Sequence, residues 1–120
     1  MEKKMIVAVQ GTNDFDDYNI FIRAMGVALS TMPEEDREFV IYSAGPANLN
    51  SFAMGFINIT ENSLKSLGIK TRVIKLPPKV LKEKMHDISY FAFFSEPKEN
   101  VSDLVREAED KDVEVGIFRY

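Results

Sequence analysis

The chain contains no cysteine and no tryptophan, and it has a single histidine among its 120 residues. The absence of cysteine excludes disulfides, thiolate metal ligands and cysteine nucleophiles together. With His86 as the only histidine, a zinc site is not predicted either, because zinc ligands are mainly cysteine and histidine. We therefore expect no metal and no cofactor, and a chain without disulfides fits a reducing cytoplasm.

Long apolar runs are also missing. No segment approaches the ~20 apolar residues that a helix needs to span a bilayer, and the run Met5–Gln10 is too short for the core of a secretory signal. Fifteen basic and nineteen acidic residues leave a formal charge of −4. No stripe of lysine or arginine is present, so the electrostatic signature of duplex nucleic-acid binding is missing. We expect a cytoplasmic protein that binds neither membranes nor duplex nucleic acid.

Three catalytic or nucleotide-binding motifs do not occur. The sequence has no G-x-G-x-x-G after its first apolar run and no G-x-x-x-x-G-K-[ST] anywhere. It also has no G-x-S-x-G nucleophile elbow. Ordinary dinucleotide-binding, P-loop and serine-hydrolase sites are therefore not predicted.

What is present is the composition of one globular domain covering residues 1–120, with 45% hydrophobic and 28% charged residues. Five apolar runs predict strands, and the first of them is continuous rather than alternating, which indicates burial on both faces. The predicted strands are Met5–Gln10, Glu38–Ala44, Thr71–Leu76, Ser89–Ser95 and Val113–Tyr120.

Four helical patterns lie between these strands. They are Tyr18–Met32, Ser51–Leu67 (whose polar middle leaves open a division into two pieces), a short helix after Pro77–Pro78, and Val101–Asp110 with Asn100 as its N-cap. Gly68 is the predicted C-terminal cap of the second helix. Such alternation predicts the α/β class. The expected architecture is a Rossmann-like doubly wound sheet of about five mainly parallel strands with helices on both faces.

In open α/β sheets, ligands bind outside the carboxyl ends of the strands, near the point where the strand order reverses. This rule selects three loops, Gly11–Asp17, Ala44–Asn50 and Ser95–Asn100, which are rich in small and polar residues. Each also has a purely structural interpretation. Asp16 or Asp17 caps a helix, Gly-Pro forms a turn that Asn50 or Ser51 follows as a helix N-cap, and the last loop is a surface turn.

The ligand-binding candidates are the small and polar residues of these loops. We expect Phe15 to turn inward and anchor the first loop. The candidates are Gly11, Thr12, Asn13, Phe15, Ala44, Gly45, Pro46, Ala47, Asn48, Asn50, Ser95 and Asn100. No catalytic residue is identified beyond Glu96, which is a candidate general acid or base without a fixed partner.

The three loops together resemble the YspA-type members of the SLOG superfamily, the Smf/DprA and LOG group of Rossmann-like domains. Those proteins carry Gly-Ser-Arg-Asp-Phe after the first strand; here Gly11, Thr12, Asp14 and Phe15 match, and Asn13 replaces the arginine. In the second loop the serine and one glycine of the family motif remain. In the third, Asn100 and Val101 stand where the family has Gly-Thr.

The resemblance implies a domain that binds a nucleotide or nucleotide-derived small molecule across these loops, in a homo-oligomer. Some SLOG relatives are phosphoribohydrolases, but their motif Pro-Gly-Gly-x-Gly-Thr-x-x-Glu is absent. The expected function is therefore binding or sensing without robust catalysis. Two alternatives stay open: an N-glycosidic hydrolase that uses Glu96 or Glu99, and an interaction module that associates through the edge strand ending in Gly-Ile-Phe-Arg-Tyr.

Overall fold

The computed structural model describes residues 3–12, 14–95 and 103–120. Strands and helices alternate through them, as the apolar runs predict. The strands are β1 (Lys3–Gly11), β2 (Asp36–Ser43), β3 (Lys70–Lys75), β4 (Tyr90–Ser95) and β5 (Glu114–Arg119). The helices are α1 (Tyr18–Ser30), α2 (Ala47–Ser66), α3 (Pro78–Glu83), which a 3₁₀ turn (Met85–Asp87) follows, and α4 (Asp103–Asp110).

All strand pairs are parallel, and the sheet order is β3-β2-β1-β4-β5. The chain moves in one direction from β1 through β2 to β3, and in the opposite direction from β3 to β4 and β5. Because parallel crossovers are right-handed, this reversal puts the helices of the two halves on opposite faces of the sheet. The predicted class, a Rossmann-like doubly wound α/β sheet, is confirmed.

Each face of the sheet has its own apolar core. Odd-numbered residues of β1 and β2, such as Val9 and Ile41, pack with Phe21 and Phe56 under α1 and α2. Even-numbered residues of the same strands lie on the other face, under α3 and α4. Residues 5 to 9 are all buried, which confirms that the continuous apolar run of β1 reflects a strand covered on both sides.

Helix α2 differs from its sequence-based prediction. It begins at Ala47, four residues before the expected start, and it is one continuous helix of 20 residues. Leu49 and Ala53 are buried, so the apolar stripe extends one turn further toward the N-terminus than the sequence indicated. The polar middle lies on the outer side, where the Thr60 hydroxyl donates to the Phe56 carbonyl at 2.8 Å. Neither Asn50 nor Ser51 is the N-cap, which is Pro46.

Other helix ends agree with the sequence more closely. Asp17 is the N-cap of α1, and its carboxylate accepts a hydrogen bond of 3.2 Å from the Ile20 amide. Gly68 follows α2 with a φ of +80°, the left-handed conformation that favours glycine after a helix. The predicted N-cap Asn100 and the predicted first residue of α4, Val101, lie outside the described residues. Across the described ranges, no helix combines the length and hydropathy of a membrane-spanning segment.

Candidate functional site

The strand order reverses between β1 and β4, which are neighbours in the sheet. The chain leaves β1 toward α1 on one face and leaves β4 toward α4 on the other face. A crevice at the carboxyl ends of such strands is the usual binding position in doubly wound sheets. Since β2 flanks β1 on its other side, the carboxyl ends of β2, β1 and β4 lie side by side at this edge of the sheet.

Backbone hydrogen bonds tie the ends of these three strands together. The Gly11 amide donates to the Gly45 carbonyl at 3.1 Å, and the Thr12 amide donates to the Phe94 carbonyl at 2.9 Å. The Ala44 amide donates to the Val9 carbonyl at 3.0 Å. Because these N–H groups already have acceptors inside the protein, a phosphate at the β1 loop would need other donors.

A polar cluster on the β1 loop connects β1 to the last strand. The Tyr120 hydroxyl donates to Asp14 Oδ1 at 2.6 Å and is hydrogen-bonded to the Thr12 hydroxyl. Thr12 Oγ1 in turn lies 3.3 Å from Asp14 Oδ1. The side chain of Tyr120 therefore reaches across β4 and holds the first candidate loop in place.

We expect Tyr120→Phe to lower the free energy of unfolding by about 1–2 kcal/mol, because a hydrogen bond to a carboxylate and one to a hydroxyl are lost. Urea denaturation followed by circular dichroism measures the change. Tyr18→Phe is the matched control, since the Tyr18 hydroxyl makes no hydrogen bond within the described part of the chain. Equal losses in the two variants would show that the cluster does not stabilise the loop.

Phe15 turns inward, as expected, and is fully buried. Its ring stacks on Phe94 with the ring centroids 4.6 Å apart, and it also contacts Tyr120 at 5.1 Å and Phe52 at 6.0 Å. Phe15 and Phe94 both pack closely against position 11, since a Cβ built on Gly11 would make ordinary van der Waals contacts of 3.4 Å with Phe15 Cβ and 3.5 Å with Phe94 Cβ. The loop is thus anchored by an aromatic cluster that joins β1, β4, β5 and α2.

The β1 loop is acidic. Asp14 and Asp16 are exposed, and Asp17 already occupies the N-terminus of α1 as its cap. These carboxylates repel a phosphate group, and the capped helix has fewer amide donors left to offer. The electrostatics therefore disfavour an anion at this loop.

The β2 loop has the opposite character. Gly45 has a φ of +90° and leads through Pro46 into the first turn of α2, which contains no acidic residue. The first amide N–H groups of a helix have no intrahelical acceptor, and no side chain caps those of α2. A Cβ built at Gly45 would meet nothing within 4 Å, so the space beside the turn is open. Ala47 and Asn48 are exposed there.

The side chain of Asn50 is used inside the protein. Its Oδ1 accepts a hydrogen bond from the Ser43 hydroxyl at the end of β2. This bond fixes the first turn of α2 against the strand that precedes it. The backbone amide of Asn50 donates to the Pro46 carbonyl at 3.0 Å, the first hydrogen bond of the helix.

Lys75 adds a positive charge near the same turn. It is the last residue of β3 and is paired in register with Ser43. Side chains alternate along a strand, so Lys75 shares the face of Val73, which lines a groove together with Met54 and Ile57 of α2. Lys75 lies two residues, about 6–7 Å, beyond Val73 along β3. Because α2 runs antiparallel to β3, the same distance corresponds to roughly four residues toward the N-terminus of the helix. This spacing places Lys75 alongside residues 50–53, where the first turn of α2 passes into the second, and Lys75 is exposed.

The remaining candidates divide into two groups. Ser95 is fully buried, and its hydroxyl accepts a hydrogen bond of 2.7 Å from the Arg119 guanidinium. Asn13, Glu96 and Asn100 lie outside the described residues. Within the ranges that are described, no group of three or more histidine, cysteine or acidic side chains is arranged to hold a metal ion.

No protein-family model, curated protein or solved structure matches this chain. The resemblance to the SLOG superfamily stays a prediction.

Sequence reasoning missed three residues at this edge: Lys75, Arg119 and Tyr120. Each is at or next to the end of a correctly predicted strand, so the sequence already indicated that it lies at the carboxyl edge of the sheet. The missing information was which strands are neighbours. Without the strand order, nothing indicates that the end of β3 adjoins α2 or that the last residue reaches the β1 loop.

Proposed function

We propose that this protein binds the phosphate group of a nucleotide or nucleotide-derived small molecule at the N-terminal turn of α2, without robust catalysis. The observation that carries the proposal is the uncapped start of a 20-residue helix at the carboxyl edge of the sheet, beside the open space at Gly45. Helix N-termini of this kind favour anions through their amide N–H groups and the helix dipole.

The charges around the edge support this position for the phosphate. Lys75 supplies a cation near the N-terminal end of α2, whereas the acidic residues cluster on the β1 loop. A ligand with a phosphate at α2 would extend toward β1, where Thr12 and the Asp14 carboxylate present hydroxyl and carboxylate oxygens. These oxygens accept hydrogen bonds from hydroxyl or amino groups, such as those of a ribose or a base. The resemblance to SLOG domains leads to the same ligand class.

Asn48→Asp is the sharpest test, because the substitution is nearly isosteric and adds one negative charge to the first turn of α2. We expect the free energy of unfolding of the unliganded protein to rise by about 0.3–1 kcal/mol, since a carboxylate there complements the helix dipole. We also expect the thermal shift caused by a nucleotide panel that includes ADP-ribose and cyclic dinucleotides to disappear. A ligand that binds only the folded state raises its stability.

Asn62→Asp is the matched control, because it makes the same change near the other end of α2. It should leave the ligand-induced shift unchanged and should not stabilise the free protein. Lys75→Ala should weaken binding roughly threefold to fivefold, as expected for one exposed charge pair, while Lys70→Ala at the other end of β3 should not. The proposal fails if no member of the panel shifts the wild-type melting temperature, or if Asn48→Asp binds as well as wild type.

A further inference from the structure

Strand β5 forms one edge of the sheet, and no strand lies beyond it in the ranges the structure describes. The Tyr120 amide donates to the Ser95 carbonyl at 3.1 Å, in the register that pairs Ser95 with Arg119. Backbone groups alternate in direction along a strand, so those of Gly116 and Phe118 also face β4. The N–H and C=O groups of Val115 and Ile117 therefore face outward, where another strand can pair with them.

The sequence of β5 permits pairing with its own copy about a two-fold axis. Opposite residues of an antiparallel pair point to the same face of the sheet. In a two-fold pair, one residue must therefore lie directly opposite its own copy, with the axis midway between the two. If that residue is Ile117, its amide and carbonyl exchange two hydrogen bonds with Ile117 of the second copy. Val115 then faces Arg119, and Gly116 faces Phe118, whose ring can cover the glycine.

The charges of the two edge strands distinguish them as pairing surfaces. Strand β5 has one acidic residue, Glu114, and one basic residue, Arg119, at its two ends. Antiparallel pairing brings the acidic end of each strand alongside the basic end of its partner and sets no like charges directly opposite each other. The other edge strand, β3, carries Lys70, Arg72 and Lys75, so two copies of β3 would repel each other. The charges thus favour β5 over β3 for self-pairing.

Exposed apolar side chains lie on both faces beside β5. Ile117 is 41% exposed on the face of α4, the face to which Val115 also belongs. On the other face, α1 packs against α2 through Tyr18 and Phe52, whose ring centroids are 5.2 Å apart. Val27 is nine residues from Tyr18, half a turn around α1 from α2, and is 46% exposed. A second copy at β5 would shield Ile117 directly and would bring Val27 toward its own symmetry mate.

We propose that two copies of this chain associate through antiparallel pairing of their β5 strands, with Ile117 on the two-fold axis, so that the two five-stranded sheets become one continuous sheet. This interface is independent of the phosphate site at α2. It also supports the candidate β1 loop, because the strand at the interface continues into Tyr120, which binds Thr12 and Asp14.

Sedimentation equilibrium at high micromolar concentration tests the proposal. We expect wild type to have twice the chain mass of 13.7 kDa. Ile117→Lys, which places a charge at the axis opposite its own copy, should be a monomer with the circular dichroism spectrum of wild type. Thr71→Lys makes a comparable change on β3, the opposite edge, and should stay dimeric. A monomeric wild type, a dimeric Ile117→Lys or a monomeric Thr71→Lys would each overturn the proposal.

A cross-linking experiment tests the register without depending on a disruptive variant. The chain has no cysteine, so Ile117→Cys introduces a single thiol. The Cα atoms of a directly opposed hydrogen-bonded pair are about 5.5 Å apart, within the range of a disulfide. We expect mild oxidation to convert this variant to a covalent dimer. Ile59→Cys on α2, where the native side chain is 71% exposed, should stay uncoupled, and equal coupling of the two variants would refute the register.

Discussion

Replacing Phe15 with alanine is expected to lower the free energy of unfolding by about 3–5 kcal/mol, the range for truncating a buried phenylalanine. The side chain is fully buried and is in ring contact with Phe94, Phe52 and Tyr120. The cavity cannot collapse easily, because these three neighbours come from three separate parts of the fold: β4, α2 and the residue that follows β5. Urea denaturation of the two proteins gives the difference.

Two further variants make this result specific. Ile59→Ala truncates an apolar side chain that is exposed on α2, and its effect should stay within about 0.5 kcal/mol. Replacing both Phe15 and Phe94 with alanine should lower the free energy of unfolding by less than the sum of the two single losses, because residues in contact couple by about 0.5–3 kcal/mol. A loss below about 1 kcal/mol for Phe15→Ala would mean that the loop is not anchored by this ring.

The second large effect is expected at Gly116 in β5. A Cβ built there would lie 2.0 Å from the Tyr90 hydroxyl oxygen and 2.9 Å from Cε2 of Phe118. Tyr90 is buried, and that burial, with a smaller contribution from Glu114, raises the pKa of its hydroxyl. We expect Gly116→Ala to cost about 1–3 kcal/mol, as for other overpacked sites. Glycine is normally a poor strand residue, so the contact reverses the usual sign of this substitution.

The clash can be tested by relieving it. Tyr90→Phe removes the hydroxyl oxygen, after which the Tyr90 ring carbon at 3.0 Å is the nearest atom of that side chain. The double variant should therefore recover part of the stability that Gly116→Ala loses. Gly26→Ala is the control, because a Cβ at that position in α1 meets nothing within 4 Å, and we expect a gain of about 0.5–1 kcal/mol from helix propensity. A stabilising Gly116→Ala would contradict the packing.

The sequence predicted the elements because their signals are local. The continuous apolar run of β1 identified a strand buried on both faces, and burial of residues 5 to 9 confirms it. Asp17 and Gly68 marked helix ends because a cap depends on the hydrogen bonds and φ angle of one or two residues. The start of α2 was predicted wrongly, because the Asn and Ser residues suggested a cap, whereas Asn50 bonds instead to Ser43 on the preceding strand.

The candidate site was partly predictable for the same reason. The sequence selected the loops after β1, β2 and β4, and these strands are neighbours in the sheet. It did not indicate how their donors are used. The Gly11 amide donates to the Gly45 carbonyl in the β2 loop and the Thr12 amide donates to the Phe94 carbonyl in β4, and whether an amide is available depends on what the fold brings next to it. Similar small and polar residues therefore form a turn whose amides are already hydrogen-bonded after β1, and a helix start whose amides have no capping side chain after β2.

By itself, the sequence determined the α/β class, the alternation of strands and helices, and the residues that approach the carboxyl edge. Its apolar periodicity and turn residues act within a few positions of one another. Only the tertiary structure decided that β3 and β5 are the edge strands, that β3 packs beside α2, and that Tyr120 closes over the β1 loop. Those relations depend on the direction and handedness of each crossover, and they join residues as far apart as Thr12 and Tyr120, which no local pattern connects.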